Sequence, residues 1–470
     1  MTHAPLAPLD TLLAATPGFD PERVPPHLAR RLLVQWVSGT RPLAPHAEDG
    51  HARNDRTSSK PQEHLPLSLA SRHILAADLI APFDLPPADQ AAMDGYAIRA
   101  ADLSPDAPTR LTVAGRTLAG DAPASVQPGQ AQRIMTGAAV PAGADTVVMQ
   151  EQVQPEGGQI IVPAGLRAGQ NIRRRGEDLQ QGSVALPAGS PLDAIALGVA
   201  ASLGFAEVPV RRSLRVGVFS TGSELAQPGQ PLKPGQIHDS NRPTLLALVA
   251  ARGWQAEDLG SLPDDPRRLG EALQAAARQV DVLLTTGGAA GGDADLLAPV
   301  LAHTPDSEAH GWKMLLRPGR PLVVARIGQT PLFGLPGNPV AAVLSFLFII
   351  QDALHTLAGT TPRPLPRIRA RAGTLFRKRP GREELMRVRL CYHEPQEQEQ
   401  EQGQGQGQGQ GHDAFTRAGL PLALPTGNQS SALLRSLLEA DGIAVLTQDQ
   451  GSLNEGDLLD VVPLRGLLAG

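Results

Sequence analysis

Val282-Leu283-Leu284-Thr285-Thr286-Gly287-Gly288-Ala289-Ala290-Gly291-Gly292-Asp293-Ala294-Asp295 is the stretch that decides the fold. It opens as a short, wholly apolar run and ends in a loop carrying four glycines. Apolar runs of this length fit strands that are covered on both faces of a parallel sheet. Working outward, Leu214 to Phe219 (LRVGVF) reads as another such strand and Pro243 to Ala251 as a helix. Pro266 to Gln279 reads as an amphipathic helix with Leu269, Ala272, Leu273 and Ala276 on one face. Alternation of this kind implies parallel strands joined by crossover helices, with ligands bound at the carboxyl ends of the strands. A long helix from about Asn338 to Leu357 follows, with Asn338 placed to cap it, Pro339 at its first position and Gly359 to end it.

Upstream, Leu85 to Gly182 is dense in glycine, proline and short β-rich runs (LTVAGRTLAG, DTVVMQEQVQ, GQIIVP), the pattern of a small β-domain. The tail from about Arg367 has similar short strands. Two tracts break the pattern. Gly39 to Glu63 is polar and rich in Pro, Ser, Asp and Arg, and Glu394 to His412 has almost no apolar residue. Neither offsets the entropy of ordering, so the first is expected to be a mobile loop and the second an insertion bulging from a late domain.

At 470 residues the chain exceeds one ordinary domain, and roughly three or four compact units are expected. With 41% apolar and only 3% aromatic residues, aliphatic side chains and alanine must fill the core, which argues against base-stacking platforms. A net charge of -5 without a Lys/Arg stripe argues against a nucleic-acid partner. The single cysteine, Cys391, rules out an intrachain disulfide and a Cys-based metal cage, which suits a reducing cytoplasm. Met1 to Asp20 has no basic region before an apolar run, and no stretch reaches the roughly 18 apolar residues of a membrane span. Val340 to Ile350 is the most apolar segment and is too short. The expectation is a cytoplasmic protein with neither membrane nor nucleic-acid partner.

Six segments set glycine beside carboxylate, amide or cationic groups in loops, where neither helix nor strand propensity asks for them. In Ala92-Met93-Asp94-Gly95-Tyr96-Ala97, Asp94 is either a metal or substrate ligand or a turn residue. Arg133 to Asp145 sets the Thr136 hydroxyl ahead of a glycine turn, which a threonine-capped β-turn also explains. Gln170 to Asp178 runs three cations into two acids, as either a solvated loop or a phosphate-binding loop would. Ser220-Thr221-Gly222-Ser223-Glu224-Leu225 follows the Leu214 strand, where backbone amides and hydroxyls cradle anions and Glu224 is placed to hold a cation. The opening stretch is the most informative, because its glycines allow close backbone approach to a ligand and Asp295 opens a helix on the same crevice. Lys313, Arg317 and Arg320, with the Gly334-Leu335-Pro336-Gly337-Asn338-Pro339 turn, place cations near a helix N-terminus and favour a phosphate-bearing ligand. Glu224, Asp264 and Asp295 would repel that ligand unless a divalent metal bridged them, so magnesium is implied. No G-x-x-x-x-G-K-[ST] or H-E-x-x-H is present, and the twelve histidines lack metal-ligand spacing.

AMDGYA, RIMTGAAVPAGADTVVMQE, NIRRRGED, STGSEL, TTGGxxxGxxD, RPGRP and GLPGNP, in this order, resemble the molybdopterin molybdenumtransferase family, MoeA in bacteria and the E-domain of gephyrin in animals. The match is collinear from about Leu65 to Gly470. The resemblance implies a multidomain fold of α/β plus β type. Its parts are a helical and extended linker domain in two stretches (1–80 and 181–211), an inserted β-rich domain (81–180), an α/β molybdopterin-binding domain with a parallel sheet (212–362) and a C-terminal β-barrel (363–470). It also implies a homodimer with its site in a cleft between domains of different subunits, and transient contact with molybdopterin adenylyltransferase and apo-molybdoenzymes. The implied reaction joins molybdate to adenylylated molybdopterin, cleaves the phosphoanhydride and releases AMP with Mg2+ assistance.

Carried across residue by residue, the functional positions of that family fall on Asp94, Thr136, Asp178, Glu224, Asp264, Asp295, Lys313, Arg317, Pro336, Pro339, Arg387 and Ser431. Glu224 and Asp295 would hold Mg2+, Lys313 and Arg317 would neutralise oxyanions, and the loop of Gly287, Gly288, Gly291 and Gly292 would donate backbone amides. Asp94, Thr136 and Asp178 would close the cleft from the other subunit, and Arg387 and Ser431 are barrel contributions. Ala290 stands where the family usually has serine, Ser223 where it has an acid, and Arg317 and Arg320 where lysines are common. Two other readings are a molybdopterin adenylyltransferase, which shares the glycine loop on a short single-domain chain, and a non-catalytic molybdopterin-binding scaffold. The β-domain and barrel motifs disfavour the first, and the retained acids disfavour the second.

Overall fold

The computed structural model describes residues 8–38, 62–122, 124–262, 264–288, 296–392 and 419–469. Outside them lie Gly291, Gly292 and Asp295, the tract 394–412, and the tract 39–63 except for its last two residues, which begin the strand Gln62–Pro66. The chain forms two compact units, one of Met1–Glu63, Arg72–Ile74 and Arg211–Gly470, the other of His64–Ser71 and Leu75–Val210.

The larger unit begins with helices α1 (Leu9–Ala14) and α2 (Pro26–Ser38). The first N–H groups of α1 have no local cap; those of Leu9 and Asp10 donate instead to the Glu308 carboxylate at 3.0 and 2.6 Å. Ala29, Leu32, Leu33, Trp36 and Val37 of α2 are buried in the main core.

The smaller unit is built on a six-stranded sheet. Its strands are β1 (Gly95–Ile98), β2 (Thr109–Thr117), β3 (Gln130–Ile134), β4 (Thr146–Met149), β5 (Gln154–Glu156) and β6 (Gln159–Val162), in the spatial order β4-β1-β3-β2-β6-β5. Helix α3 (Ala194–Ser202) belongs to the same unit and is capped by Asp193, whose carboxylate accepts from the N–H groups of Ile195 and Ala196. Gly95 is fixed by the sheet itself: a Cβ there would lie 1.9 Å from the Val148 carbonyl oxygen on the neighbouring strand.

Downstream, the larger unit continues as an α/β layer: β7 (Arg215–Thr221), α4 (Asn241–Ala251), β8 (Gln255–Leu262), α5 (Pro266–Ala277), β9 (Val282–Thr286), α6 (Leu297–Ala302), β10 (Ser307–Lys313), β11 (Pro321–Ile327) and β12 (Thr330–Leu335). The sheet order is β8-β7-β9-β12-β11-β10. The parallel sheet expected from the sequence is present as the parallel part of a mixed sheet. β8, β7, β9 and β12 are parallel, but β11 runs antiparallel to both β12 and β10. Only Gly328 and Gln329 join β11 to β12, and a link that short makes a hairpin, never a crossover.

Helix α7 (Pro339–Ala358) carries a π-helical turn at Phe346–Ile350 and ends on left-handed Gly359. At 20 residues and mean hydropathy 1.8 it is long and apolar enough to span a membrane, beyond what the sequence reading allowed, yet 78% of that window is buried inside the protein. One cluster covers it: α2, the β7, β9 and β12 face of the sheet, and Leu385, Ile443 and Val462 from the barrel.

The barrel strands are β13 (Ile368–Ala372), β14 (Glu383–Cys391), β15 (Leu422–Pro425), β16 (Gly442–Leu446) and β17 (Leu458–Pro463). They close in the ring β14-β15-β13-β17-β16-β14. Five strands enclose little volume, and Ala370, Ala372, Ala423 and Ala444 accordingly occupy the interior with no exposure.

His355 of α7 packs edge-on against Trp254, ring centroids 5.0 Å apart. Burial, aided by the nearby Arg252 guanidinium, pushes its pKa down to about 4. Since the unfolded chain takes up this proton more readily, the full stability holds above the ordinary value of 6.5. Roughly 3 kcal/mol is lost as pH falls from there through about 4. Urea unfolding over that range is expected to show the loss, and His355→Gln to reduce it. Gly95→Ala is expected to cost roughly 1–3 kcal/mol, read as a lower thermal midpoint of the smaller unit.

Candidate active site

Strand β7 pairs with β8 on one side and β9 on the other, so the chain reverses its direction of travel across the sheet between β7 and β9. Ligand crevices form at the carboxyl ends flanking such a point. Here they carry Thr221-Gly222-Ser223-Glu224 and Thr286-Gly287-Gly288. The two loops touch through backbone. Gly287 has φ 91°, and a Cβ on it would sit 2.3 Å from the Thr221 carbonyl oxygen, so no other residue fits. Ser223 donates its N–H and its hydroxyl to Asp264 Oδ2 at 3.0 and 3.1 Å, which ties the end of β7 to the loop after β8. Glu224 is exposed, and its carboxylate folds over Gly222, within 2.5 Å of where a Cβ would stand.

Beneath the crevice lies a polar network the sequence reading missed. Ser220 Oγ donates to Asp239 Oδ2 at 2.5 Å, Arg242 Nε donates to the same oxygen at 3.0 Å, and Arg242 also pairs with Asp258. Asp239 and Arg242 are buried. Between them Asn241 donates through Nδ2 to Thr286 Oγ1 at 2.9 Å and to the Gly337 carbonyl at 2.7 Å. The signal was present in Asp239-Ser240-Asn241-Arg242, an acid and a cation one helical turn apart around a helix start, and passed as loop.

A cleft of about 780 Å³ lies between the α/β layer and the barrel of this unit. Arg317, Arg320 and Arg382 line it together with Pro336-Gly337-Asn338 and the barrel loop Asn428-Gln429-Ser430-Ser431. Arg320 and Arg382 form no ion pair among the described residues, while Arg317 is 3.8 Å from Glu384. The expected cap of α7 is corrected: Asn338 holds the N-cap position, but its side chain makes no cap bond. The Val340 N–H donates at 3.0 Å to the Ser431 carbonyl. Arg387, expected as a substrate ligand, lies under the loop, 1% exposed. It donates to Ser436 Oγ at 3.1 Å, the Ser430 carbonyl at 3.1 Å and the Asn428 carbonyl at 3.5 Å. Burial depresses its pKa. Lys313 does not line the cleft; it pairs with Glu22. Pro336 lines it, and Pro339 starts α7 behind it.

In the smaller unit Asp94 and Thr136 come together. Asp94 Oδ1 accepts from the Thr136 N–H at 2.8 Å and from its hydroxyl at 2.7 Å, and these bonds hold the carboxyl below the usual aspartate range. Asp178 is exposed, anchored by its N–H to the Leu85 carbonyl at 3.0 Å. Of the three neighbouring arginines, Arg174 pairs with Asp89 and Arg175 with Asp84, both at 2.6 Å, so two of the three cations are already committed.

Magnesium takes hard oxygen ligands. Glu224, whose carboxylate forms no hydrogen bond among the described residues and folds over a glycine, fits that chemistry; Asp264 is committed to Ser223. The described residues contain one compact three-residue group of metal-ligating type, Asp10, Glu308 and His310. It lies elsewhere, and Glu308 there already serves the start of α1 and accepts from Arg326 Nε at 3.1 Å.

Comparison with known proteins adds a second line. Residues 43–204 match the MoeA N-terminal region (domain I and II), 217–356 the probable molybdopterin binding domain and 412–464 the MoeA C-terminal region (domain IV). A molybdopterin molybdenumtransferase of Haemophilus influenzae is 36% identical over 409 residues, spanning 86% of this chain and 95% of that protein. The chain belongs to the molybdopterin molybdenumtransferase family. A Bacillus subtilis molybdopterin molybdenumtransferase is 32% identical over 413 residues, spanning 86% and 90% of the two chains. A molybdopterin biosynthesis MoeA protein from Pyrococcus horikoshii superposes with TM-score 0.70 at 27% identity, covering 94% of this chain and 99% of its own. In this molybdenumtransferase-family chain the α/β layer lies in the probable molybdopterin binding region, and the arginine cleft joins it to the C-terminal barrel.

Arg387→Met is expected to leave the carbonyls of Asn428 and Ser430 without their donor and to cost about 1–3 kcal/mol in urea unfolding, with weaker oxyanion binding as the loop loosens.

Proposed function

We propose that this chain inserts molybdenum from molybdate into adenylylated molybdopterin, cleaving the phosphoanhydride and releasing AMP to give the molybdenum cofactor. The observation that carries this reading is the arginine-lined cleft separated from the strand-end crevice by one short turn, Pro336-Gly337-Asn338. Arg317, Arg320 and Arg382 supply positive charge for oxyanions, and the backbone of Gly287 and Gly288 approaches the ligand from the other side. Glu224 and Asp295 would hold magnesium, which would supply positive charge to the phosphoanhydride. Asp264 keeps the Ser223 loop in place through its two hydrogen bonds to Ser223. Asp94, Thr136 and Asp178 act on the same substrate within a homodimer, and Ser431 and Arg387 shape the oxyanion seat, while Lys313 is held by Glu22 outside the cleft. The reaction is placed in the cytoplasm, with molybdopterin adenylyltransferase as the donor and apo-molybdoenzymes as recipients.

A molybdopterin adenylyltransferase reading leaves the barrel side of the cleft without a task, and a non-catalytic scaffold leaves the retained acids Asp94, Asp178 and Glu224 without one. The test is an assay of purified protein with adenylylated molybdopterin, magnesium and molybdate, following AMP release and reconstitution of an apo-molybdoenzyme. Molybdate-dependent AMP release is expected, with losses of roughly 100-fold or more in Asp94→Ala, Asp295→Ala and Glu224→Gln. Pterin binding without AMP release would overturn the enzyme reading, and sedimentation of the same preparation reads the dimer.

A further inference from the structure

The Pro336-Gly337-Asn338 turn is a wall common to two binding places. It lines the arginine cleft, and its carbonyls are held by side chains of the strand-end crevice. Thr286, the last residue of β9, spends its hydroxyl proton on the Pro336 carbonyl at 3.0 Å. Asn241, the first residue of α4, donates through Nδ2 to the Gly337 carbonyl at 2.7 Å and to Thr286 Oγ1 at 2.9 Å. The chemistry fixes the orientation of that amide. A carbonyl only accepts, and the Thr286 hydroxyl has already spent its proton, so the nitrogen must face both and Oδ1 must point away. Oδ1 is buried and has no hydrogen-bond partner among the described residues.

Asn241 is also held from behind. Buried Asp239 and Arg242 on either side of it are locked by buried Ser220 and by exposed Asp258, so the start of α4 is the fixed point and the two loops are what it restrains. The loops themselves are in close contact, since a Cβ on Gly337 would stand 3.6 Å from the Gly287 Cα.

We propose that Asn241 is a positioning residue for the transferase reaction: through the Thr286–Pro336 and Gly337 hydrogen bonds it sets the wall between the crevice that takes the pterin nucleotide and the cleft that takes the oxyanion. The inference rests on the proposed function. Releasing the lock lets the turn relax on both sides, so both substrates bind less well while the reacting groups, once seated, are the same.

The test is steady-state kinetics of the full chain with adenylylated molybdopterin and molybdate, beside calorimetric binding of molybdate alone. Asn241→Ala is expected to raise KM for both substrates by about tenfold, with kcat within about threefold, and to weaken molybdate binding by a similar factor. Thr286→Val is expected to move the same quantities in the same direction, and Thr286→Ser, which returns the hydroxyl, to recover most of the loss. The double variant is expected to be no worse than the worse single one, because the two side chains act in one chain of bonds. A lowered thermal midpoint with both KM values and molybdate affinity intact would overturn the proposal, as would a rise in KM for one substrate only. If the unaltered protein releases no AMP, the functional reading fails instead. The molybdate calorimetry of Asn241→Ala then still decides whether the lock shapes the cleft.

Discussion

The α/β layer and the barrel are held in register around one cleft by the hydrogen bond from the Val340 N–H to the Ser431 carbonyl together with the pairing of Leu316 and Arg317 against Glu383 and Glu384. A helix start needs acceptors, and this one takes its acceptor from a loop of another domain-sized element, leaving Asn338 free to line the cavity. Arg387 follows from the same constraint. Its guanidinium gathers the carbonyls of residues 428 and 430 inward, which turns the loop's backbone acceptors away from the cleft. The polar part of the cleft's lining is thereby made by cations and by side-chain amides and hydroxyls, suited to oxyanions, beside apolar Leu316, Pro318, Pro321 and Ala341.

Much of this was legible in the sequence wherever the cause was local. The strand read from Val282 to Thr285, Gly287 and Gly288 after it, Pro339 at a helix start and Gly359 at its end each act over a few residues, and each sits where the pattern put it. The antiparallel pairing of β11 was missed because the pattern of apolar residues looks the same in either direction; the decisive fact was a two-residue connection. Arg382 and the loop at 428–431 were missed, or reached only through resemblance, because they meet Arg317 from far along the chain. Asn241 escaped for a different reason: its importance lies in which acceptors surround it, and no spacing rule encodes that.

Charge tells a similar story. The run Arg173-Arg174-Arg175 looks like the strongest cationic feature of the chain, yet Asp84 and Asp89 reach back from an earlier segment and neutralise two of its three members. Arg317, Arg320 and Arg382 are scattered in sequence and gathered in space. A protein of net charge -5 thus concentrates positive potential where nearby carboxylates are few, and Glu384, buried beside Arg317, tempers it.

Helix α7 carries a consequence for biosynthesis. On leaving the ribosome it is indistinguishable by length and apolarity from an anchor sequence. Its principal covers, α2 and the strands β7, β9 and β12, have all been made before it, whereas the barrel residues Leu385, Ile443 and Val462 come later. The order of synthesis therefore gives the nascent helix a shelter on most of its surface at once, and leaves only the barrel-facing strip bare until the last hundred or so residues emerge.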